Sequence, residues 1–136
     1  MNTPPFQPLP FRLDMQSGVP VYRQIMDQIH GAIASGALRP GAQLPTVRQL
    51  AVDLSVNPNT VVRAYRELEI RGVLSTQQGI GTFISARPVT VDEAGRQRQL
   101  TQLVGEFLAR AGAAGFSADE VSARLLEFLS NPRRQP

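Results

Sequence analysis

Four polar side chains crowd the opening of one helix-forming run, VNPNTVVRAYRELE at residues 56–69: Asn57, Asn59, Thr60 and Arg63. Asn57 is a good N-cap, because its side-chain oxygen takes one of the orphan amides of the first turn. Pro58 then falls on the first helical position, where its missing N–H and fixed φ cost nothing. Capping leaves Asn59 and Thr60 unexplained, since both are mediocre helix formers where Glu or Ala would serve better. The chemistry of this set is hydrogen bonding, with no nucleophile or proton carrier in it. An amide forks onto an adenine edge, a hydroxyl meets a base or a thymine methyl, and a guanidinium forks onto guanine or holds phosphate. The plain alternative is that Asn59 and Thr60 satisfy first-turn amides and that Arg63 is solvated.

Composition narrows the classes that remain. A chain of 136 residues has room for one domain with a single core and a short appendage, and none for a large ligand-binding or catalytic domain besides. With 42% hydrophobic and 18% charged residues it is expected to be an ordinary soluble globular protein. There is no cysteine, and a single histidine, His30, which is expected to be a partly buried residue of the first helix with no function. A metal site would have to be assembled almost wholly from carboxylates and no base–nucleophile pair can be named, so an enzyme is not expected and no cofactor is implied. No apolar run reaches membrane-spanning length and no signal peptide is visible, so no membrane partner is expected and a cytoplasmic location is the default. All 14 basic residues are arginine, as GC-rich coding favours. Residues 1–87 hold eight arginines against five acidic residues, a balance of +3, whereas residues 88–136 hold six of each. The excess suits a polyanion at the front and a neutral partner or self-association behind.

These side chains need elements to position them. Residues 1–10, with TPPFQPLP, read as an extended proline-rich arm, and FRLD at 11–14 as a short edge strand. Val21, Tyr22, Ile25, Ile29 and Ile33 share one helical face, stopped at Gly36. Thr46 and Gln49 form a capping box for a short second helix that buries Leu50, Ala51 and Leu54. Only Ser55 and Val56 precede the Asn57 cap of the third helix, which spans 57–71, buries Val61, Tyr65 and Leu68 and stops at Gly72. Two helices joined so closely cross steeply, as in a helix-turn-helix. Two β-rich runs at 73–76 and 82–85, around a loop with Gly79 and Gly81, predict a hairpin. The fold class is therefore mainly α with a small β-hairpin: a winged helix-turn-helix over 11–87, followed by a two-helix dimerisation segment over 88–136.

In that tail, Thr90 and Glu93 make a capping box for a helix carrying Leu100, Leu103, Val104, Phe107 and Leu108, broken by GAAG at 112–115. Ser117 and Glu120 cap another, with Phe116 stapled onto Val121 and an apolar set of Val121, Leu125, Leu126, Phe128 and Leu129. Two helices cannot bury this surface on each other alone, which predicts a homodimer through a small helical bundle.

In a helix-turn-helix the start of the second helix enters the major groove. Asn59, Thr60 and Arg63 lie opposite Val61, Tyr65 and Leu68 and would be presented there, with Arg48 at the groove or its rim. Residues 11–87 resemble the DNA-binding domain of the GntR family of bacterial transcription regulators. The resemblance is carried by GALRPGAQLPTVRQLA at 36–51, VNPNTVVRAYRELEIRGVL at 56–74 and QGIGTF at 78–83. VNPNTV followed by RAYRELE is especially similar to the YtrA-type subfamily, whose members have a short two-helix carboxyl-terminal part. The resemblance implies DNA contacts from the Leu-Pro-Thr turn and the arginine after it, here Thr46 and Arg48, and from Asn57, Asn59 and Thr60 at the start of the recognition helix. It also implies a wing tip that lets backbone approach the minor groove, matched by Gln78 and Gly79. Where the wider family often has arginine, this chain has Pro58 and Val62, with Arg63 one position on.

The expected function is a homodimeric repressor on an imperfect palindrome in double-stranded DNA, with helix three in the major groove and the 77–81 wing in the minor groove. A winged helix that binds protein is the alternative, favoured by an acidic or apolar helix-three surface and opposed by Arg63 and Arg66. A small-molecule effector is a possible further partner. Phe107, Phe116 and Phe128 would line its pocket, although core packing is the commoner role of such stripes.

Overall fold

Pro20 cannot continue a helix backwards but starts one well, and α1 runs from Val21 to Ser35 until Gly36, at φ 85°, turns the chain out. The computed structural model describes residues 11–86 and 93–130, which fall into two compact units divided between those ranges. The proline-rich arm at 1–10 and Thr90 of the expected capping box lie outside the described residues.

In the front unit α1 is followed by α2 (Val47–Leu54) and α3 (Pro58–Ile70), and then by β1 (Leu74–Gln77) and β2 (Gly81–Ile84). Asn57 and Arg71 flank α3 as caps and are not part of it. The hairpin strands are shifted by one residue from the expected runs, with Leu74 opposite Ile84 and Gln77 opposite Gly81. The aliphatic faces meet in a core that includes Ile25, Ile29, Leu44, Leu50, Val61 and Leu68. Leu54 lies only partly inside it, and Met26 and Ala32 join it from α1. His30 is exposed, contrary to expectation, because it faces away from the Ile25–Ile29 stripe.

The FRLD segment is not a strand. Phe11 and Leu13 do pack against the core, as the alternation suggests, but their neighbours pair with side chains. The Gln28 amide accepts from Arg12 N–H at 2.8 Å and donates to the Arg12 carbonyl at 2.7 Å. Gln24, one helical turn earlier, does the same for Asp14, at 2.8 Å each way. A side-chain amide offers the donor and acceptor of a peptide group, so two glutamines four apart stand in for a neighbouring strand.

The wing carries a third extended segment that the sequence reading missed. Residues 41–44 lie along the outer edge of β2: Leu44 N–H donates to the Thr82 carbonyl, Ile84 N–H to Ala42 and Gly41 N–H to Ile84, each at 2.8 Å. β2 is thereby paired on both edges. Glu69 accepts from the Thr76 hydroxyl and ties the end of α3 to β1.

Tyr65 joins the two helices of the motif. Its hydroxyl, buried with the ring, donates to the Pro45 carbonyl at 2.7 Å, immediately before the Thr46 cap of α2. The expected capping box at α2 is only half present. Thr46 accepts from Gln49 N–H at 3.1 Å, but the Gln49 amide turns along the helix to Asp53 at 2.7 Å.

The tail unit comprises α4 (Glu93–Ala113) and α5 (Ala118–Ser130). Here the Ser117 box is complete: Ser117 Oγ accepts from Glu120 N–H at 3.2 Å and Glu120 accepts from Ser117 N–H at 2.8 Å. Neither helix buries a residue, and Leu103 and Phe107 remain 54% and 59% exposed.

Burial raises the Tyr65 phenol pKa above its ordinary value of 10.0. The folded state therefore keeps this proton to higher pH than the unfolded chain. The stability contributed is full below about pH 10 and is lost as pH rises toward the folded value. Tyr65→Phe leaves the buried Pro45 carbonyl unpaired, and urea unfolding at neutral pH is expected to show a loss of about 1–3 kcal/mol. The steep loss of stability above pH 10 should flatten in the same variant.

Candidate nucleic-acid interface

Asn57 begins α3 as expected. Its Oδ1 accepts from Asn59 N–H at 2.8 Å, and its carbonyl accepts from Thr60 N–H at 2.9 Å. The first-turn amides are thus satisfied by Asn57, and the side chains of Asn59 and Thr60 are not needed for that purpose. Among the described residues neither has a hydrogen-bond partner for its side chain.

Arg63 is not simply solvated. Its guanidinium carbon lies 3.8 Å from the centroid of the Tyr22 ring on α1, a cation–π stack. Val21, Tyr22, Asn57, Asn59, Thr60 and Arg63 together line an open depression of about 430 Å³ where the start of α1 meets the start of α3. Tyr22 was expected only as a core residue. Its ring is half-buried and partly packed on the core, but it also forms one wall of this depression.

Thr46 and Arg48 lie outside the depression, at the start of α2. Arg48 is exposed, and its side chain has no ion-pair or hydrogen-bond partner among the described residues. None of α1, α2 and α3 has an acidic residue in its first turn, whereas α4 begins with Glu93 and α5 with Asp119 and Glu120. Acids in the first turn offset the positive end of the helix dipole, and their absence leaves that end available to an anion.

Gln78 and Gly79 form the tip of the wing with Ile80, whose N–H closes the turn on the Gln77 carbonyl at 3.0 Å. The two glycines serve different needs. Gly79 adopts φ 79° with open space where a Cβ would be, so only its backbone conformation calls for glycine. Gly81, at φ 149°, also has a backbone that favours glycine, and a Cβ there would in addition push aside the side-chain amide of Gln43, which donates to the Ile80 carbonyl at 3.3 Å. Gln43 thus braces the wing from the 41–44 segment. The sequence reading missed it, because an isolated polar residue between alanine and leucine carries no periodic signal.

In the tail unit Phe107, Phe116 and Phe128 line an apolar groove of about 640 Å³ between α4 and α5, with Val121 and Leu125. Leu100, Leu103, Val104, Leu108 and Leu129 are likewise exposed. No described helix is long and apolar enough to cross a membrane, and the described residues hold no cluster able to bind a metal ion.

A three-helix unit with a hairpin wing and a polar, acid-free start to its third helix defines the front part as a winged helix-turn-helix regulator domain. The chain belongs to the GntR family of bacterial regulatory proteins, whose pattern matches residues 21–84, and within it to the YtrA type. It is 34% identical over 120 residues to the HTH-type transcriptional repressor YtrA of Bacillus subtilis, covering 88% of this chain and 92% of that one. It is 37% identical over 113 residues to the uncharacterized HTH-type transcriptional regulator YhcF of the same organism, covering 83% and 93%. Among solved structures it is similar to YtrA from Sulfolobus acidocaldarius, a GntR-family transcription factor, with TM-score 0.56, 33% identity and coverage of 73% and 97%. It is also similar to a transcriptional antiterminator from Listeria monocytogenes EGD-e, with TM-score 0.62, 29% identity and coverage of 87% and 88%. The family consists of DNA-binding transcription regulators, not enzymes.

The two wing glycines should respond differently to alanine. Gly79→Ala is expected to cost about 1 kcal/mol from its left-handed backbone alone. Gly81→Ala should cost more, because φ 149° is also disfavoured for alanine and the added methyl turns the Gln43 amide away from the Ile80 carbonyl. Urea unfolding compares the totals, and hydrogen exchange at Ile80 N–H should accelerate in both variants.

Proposed function

We propose that this regulator is a homodimeric repressor that binds an imperfect palindrome, with α3 in the major groove and the wing tip in the minor groove. The observation that carries the reading is the start of α3. There Asn57 satisfies the helix and leaves Asn59 and Thr60 unpartnered, beside Arg63. Asparagine and threonine are the side chains for base edges, and Arg48 and Arg63 are those for guanine or phosphate. The acid-free first turns of all three front helices suit a polyanion, and the Gln78–Gly79 tip brings backbone to the surface of the wing.

The homodimer is supported by the tail. Two helices that bury nothing, with apolar side chains along both, need a cover, and a second copy supplies one of matching character. Packing in that bundle is then the role of Leu100, Leu103, Val104, Phe107, Leu108, Val121, Leu125, Phe128 and Leu129. Repression is supported by the name of the B. subtilis relative, a transcriptional repressor. The cytoplasm is the compartment that such a role requires.

Selection of bound sequences from a random duplex pool, at fixed near-physiological salt, is the first test. The full chain should enrich a two-fold symmetric motif with half-sites about one duplex turn apart. Against that motif, Arg48→Ala and Asn59→Ala should each lose roughly 5- to 150-fold in affinity, as expected for a lost base contact. Full affinity in both variants would show that the site is wrongly assigned. Leu103→Asp should sediment as a monomer with its helices intact, and a dimer in that variant would refute the tail interface.

A further inference from the structure

We infer that Tyr22 is a positioning residue of the DNA interface, which stacks Arg63 sideways off α3 and directs it to a backbone phosphate, not to a base. The inference rests on the DNA-binding reading above and divides the work within it. Arg63 lies on the second turn of α3, on the same side as Asn59, where an unconstrained arginine would extend toward the groove. Instead its guanidinium carbon sits over a ring from another helix, 3.8 Å from the centroid. It is drawn toward the start of α1, at the margin of the depression that Asn59 and Thr60 share. A helix seated in the major groove has base edges ahead of it and phosphates along its flanks. A charge drawn sideways onto the neighbouring helix is therefore placed for the flank.

The stack also accounts for the type of both residues. The planar guanidinium stacks through its face and keeps its edge N–H groups free, whereas an ammonium would have to choose between ring and phosphate. Tyr22 lines the same depression, and its hydroxyl has no hydrogen-bond partner among the described residues, so it remains available as a donor. An arginine that is already stacked loses less side-chain freedom on binding. The first turn of α1 carries no acid to repel the incoming phosphate. Asn59 and Thr60 remain as the base-reading pair of this helix.

The test uses the full chain with a duplex enriched from the random pool and a scrambled duplex of the same length. Affinities are measured from about 50 to 200 mM salt, where phosphate contacts set the slope. Arg63→Ala should weaken both duplexes alike, by about tenfold, and lower the salt slope by about one. Tyr22→Leu, which keeps an apolar body on the core, should cost about threefold, and Tyr22→Phe less. In the Tyr22→Leu background the cost of Arg63→Ala should shrink, so that the two losses do not add. In the free protein, Arg63 side-chain protons should show an upfield ring-current shift by NMR that disappears in Tyr22→Leu.

Additive losses, or no ring-current shift in the wild type, would overturn the positioning role. An Arg63→Ala variant that relaxes preference at one operator base and keeps its salt slope would overturn the phosphate assignment. A wild-type chain that enriches no motif and binds neither duplex would instead overturn the DNA reading itself, and this inference with it. The NMR shift separates the two failures, because it is read without DNA.

Discussion

The hydrogen bond from Tyr65 to the Pro45 carbonyl is the contact on which the geometry of the front unit depends. A helix-turn-helix works only if the start of one helix is held in register with the body of the other, and here a single buried donor does this. Pro45 has no N–H, and its carbonyl lies just before the cap of α2, where no helical amide of that turn can reach it. Without Tyr65 the carbonyl would be buried and unpaired. With it, Thr46, Arg48 and the whole short α2 are referenced to the third turn of α3. The constraint works in both directions, because the same ring fills the core between Val61 and Leu68 on α3. Ser55 completes the connection. Among the described residues it is the one non-glycine at positive φ, a conformation imposed where the chain reverses in two residues between α2 and the Asn57 cap.

Much of this was legible because it is local. The helix starts and stops at Gly36, Thr46, Asn57 and Gly72 follow from capping chemistry within a few residues, and so does the reciprocal box at Ser117 and Glu120. The core stripes of α1 and α3 follow from helical period. The contacts that were missed are those in which a polar side chain reaches across sequence. Gln24 and Gln28 lie off the apolar stripe of α1 and carry no periodic signal, yet they pair with backbone at Asp14 and Arg12 and replace the strand that the alternation of FRLD implied. Gln43 and the third extended segment depend on β2, some forty residues on. The Arg63–Tyr22 stack depends on how α1 crosses α3. In each case residue type permitted the contact, but only the tertiary path selected it.

The two units are unfinished in complementary ways. In the front unit the helix stripes and the hairpin close a buried apolar core, with Met15, Val52, Ile70 and Ile80 left exposed around it, and no buried side-chain polar atom is left unpaired among the described residues. What remains open is electrostatic: three helix starts without acids and an unpaired Arg48. The tail unit has the reverse character. Its helix starts carry acids and its charges balance, including an exposed Arg124–Glu127 pair at 3.3 Å that contributes little. What remains open there is apolar. The front surface suits the DNA that the family binds, and the tail surface suits the second copy proposed above, so each unit is the wrong chemistry for the other's role.

That division bears on the all-arginine composition. Coding bias accounts for arginine in place of lysine wherever the side chain merely carries charge in water, as at Arg124. It does not account for position 63, where a flat cation must lie on a ring while its edge stays free for another partner. Position 62, about a hundred degrees around the helix, is a half-buried valine, whereas position 63 is exposed on the side of α3 that faces Tyr22. A cation at 63 is thereby held in place before any partner arrives.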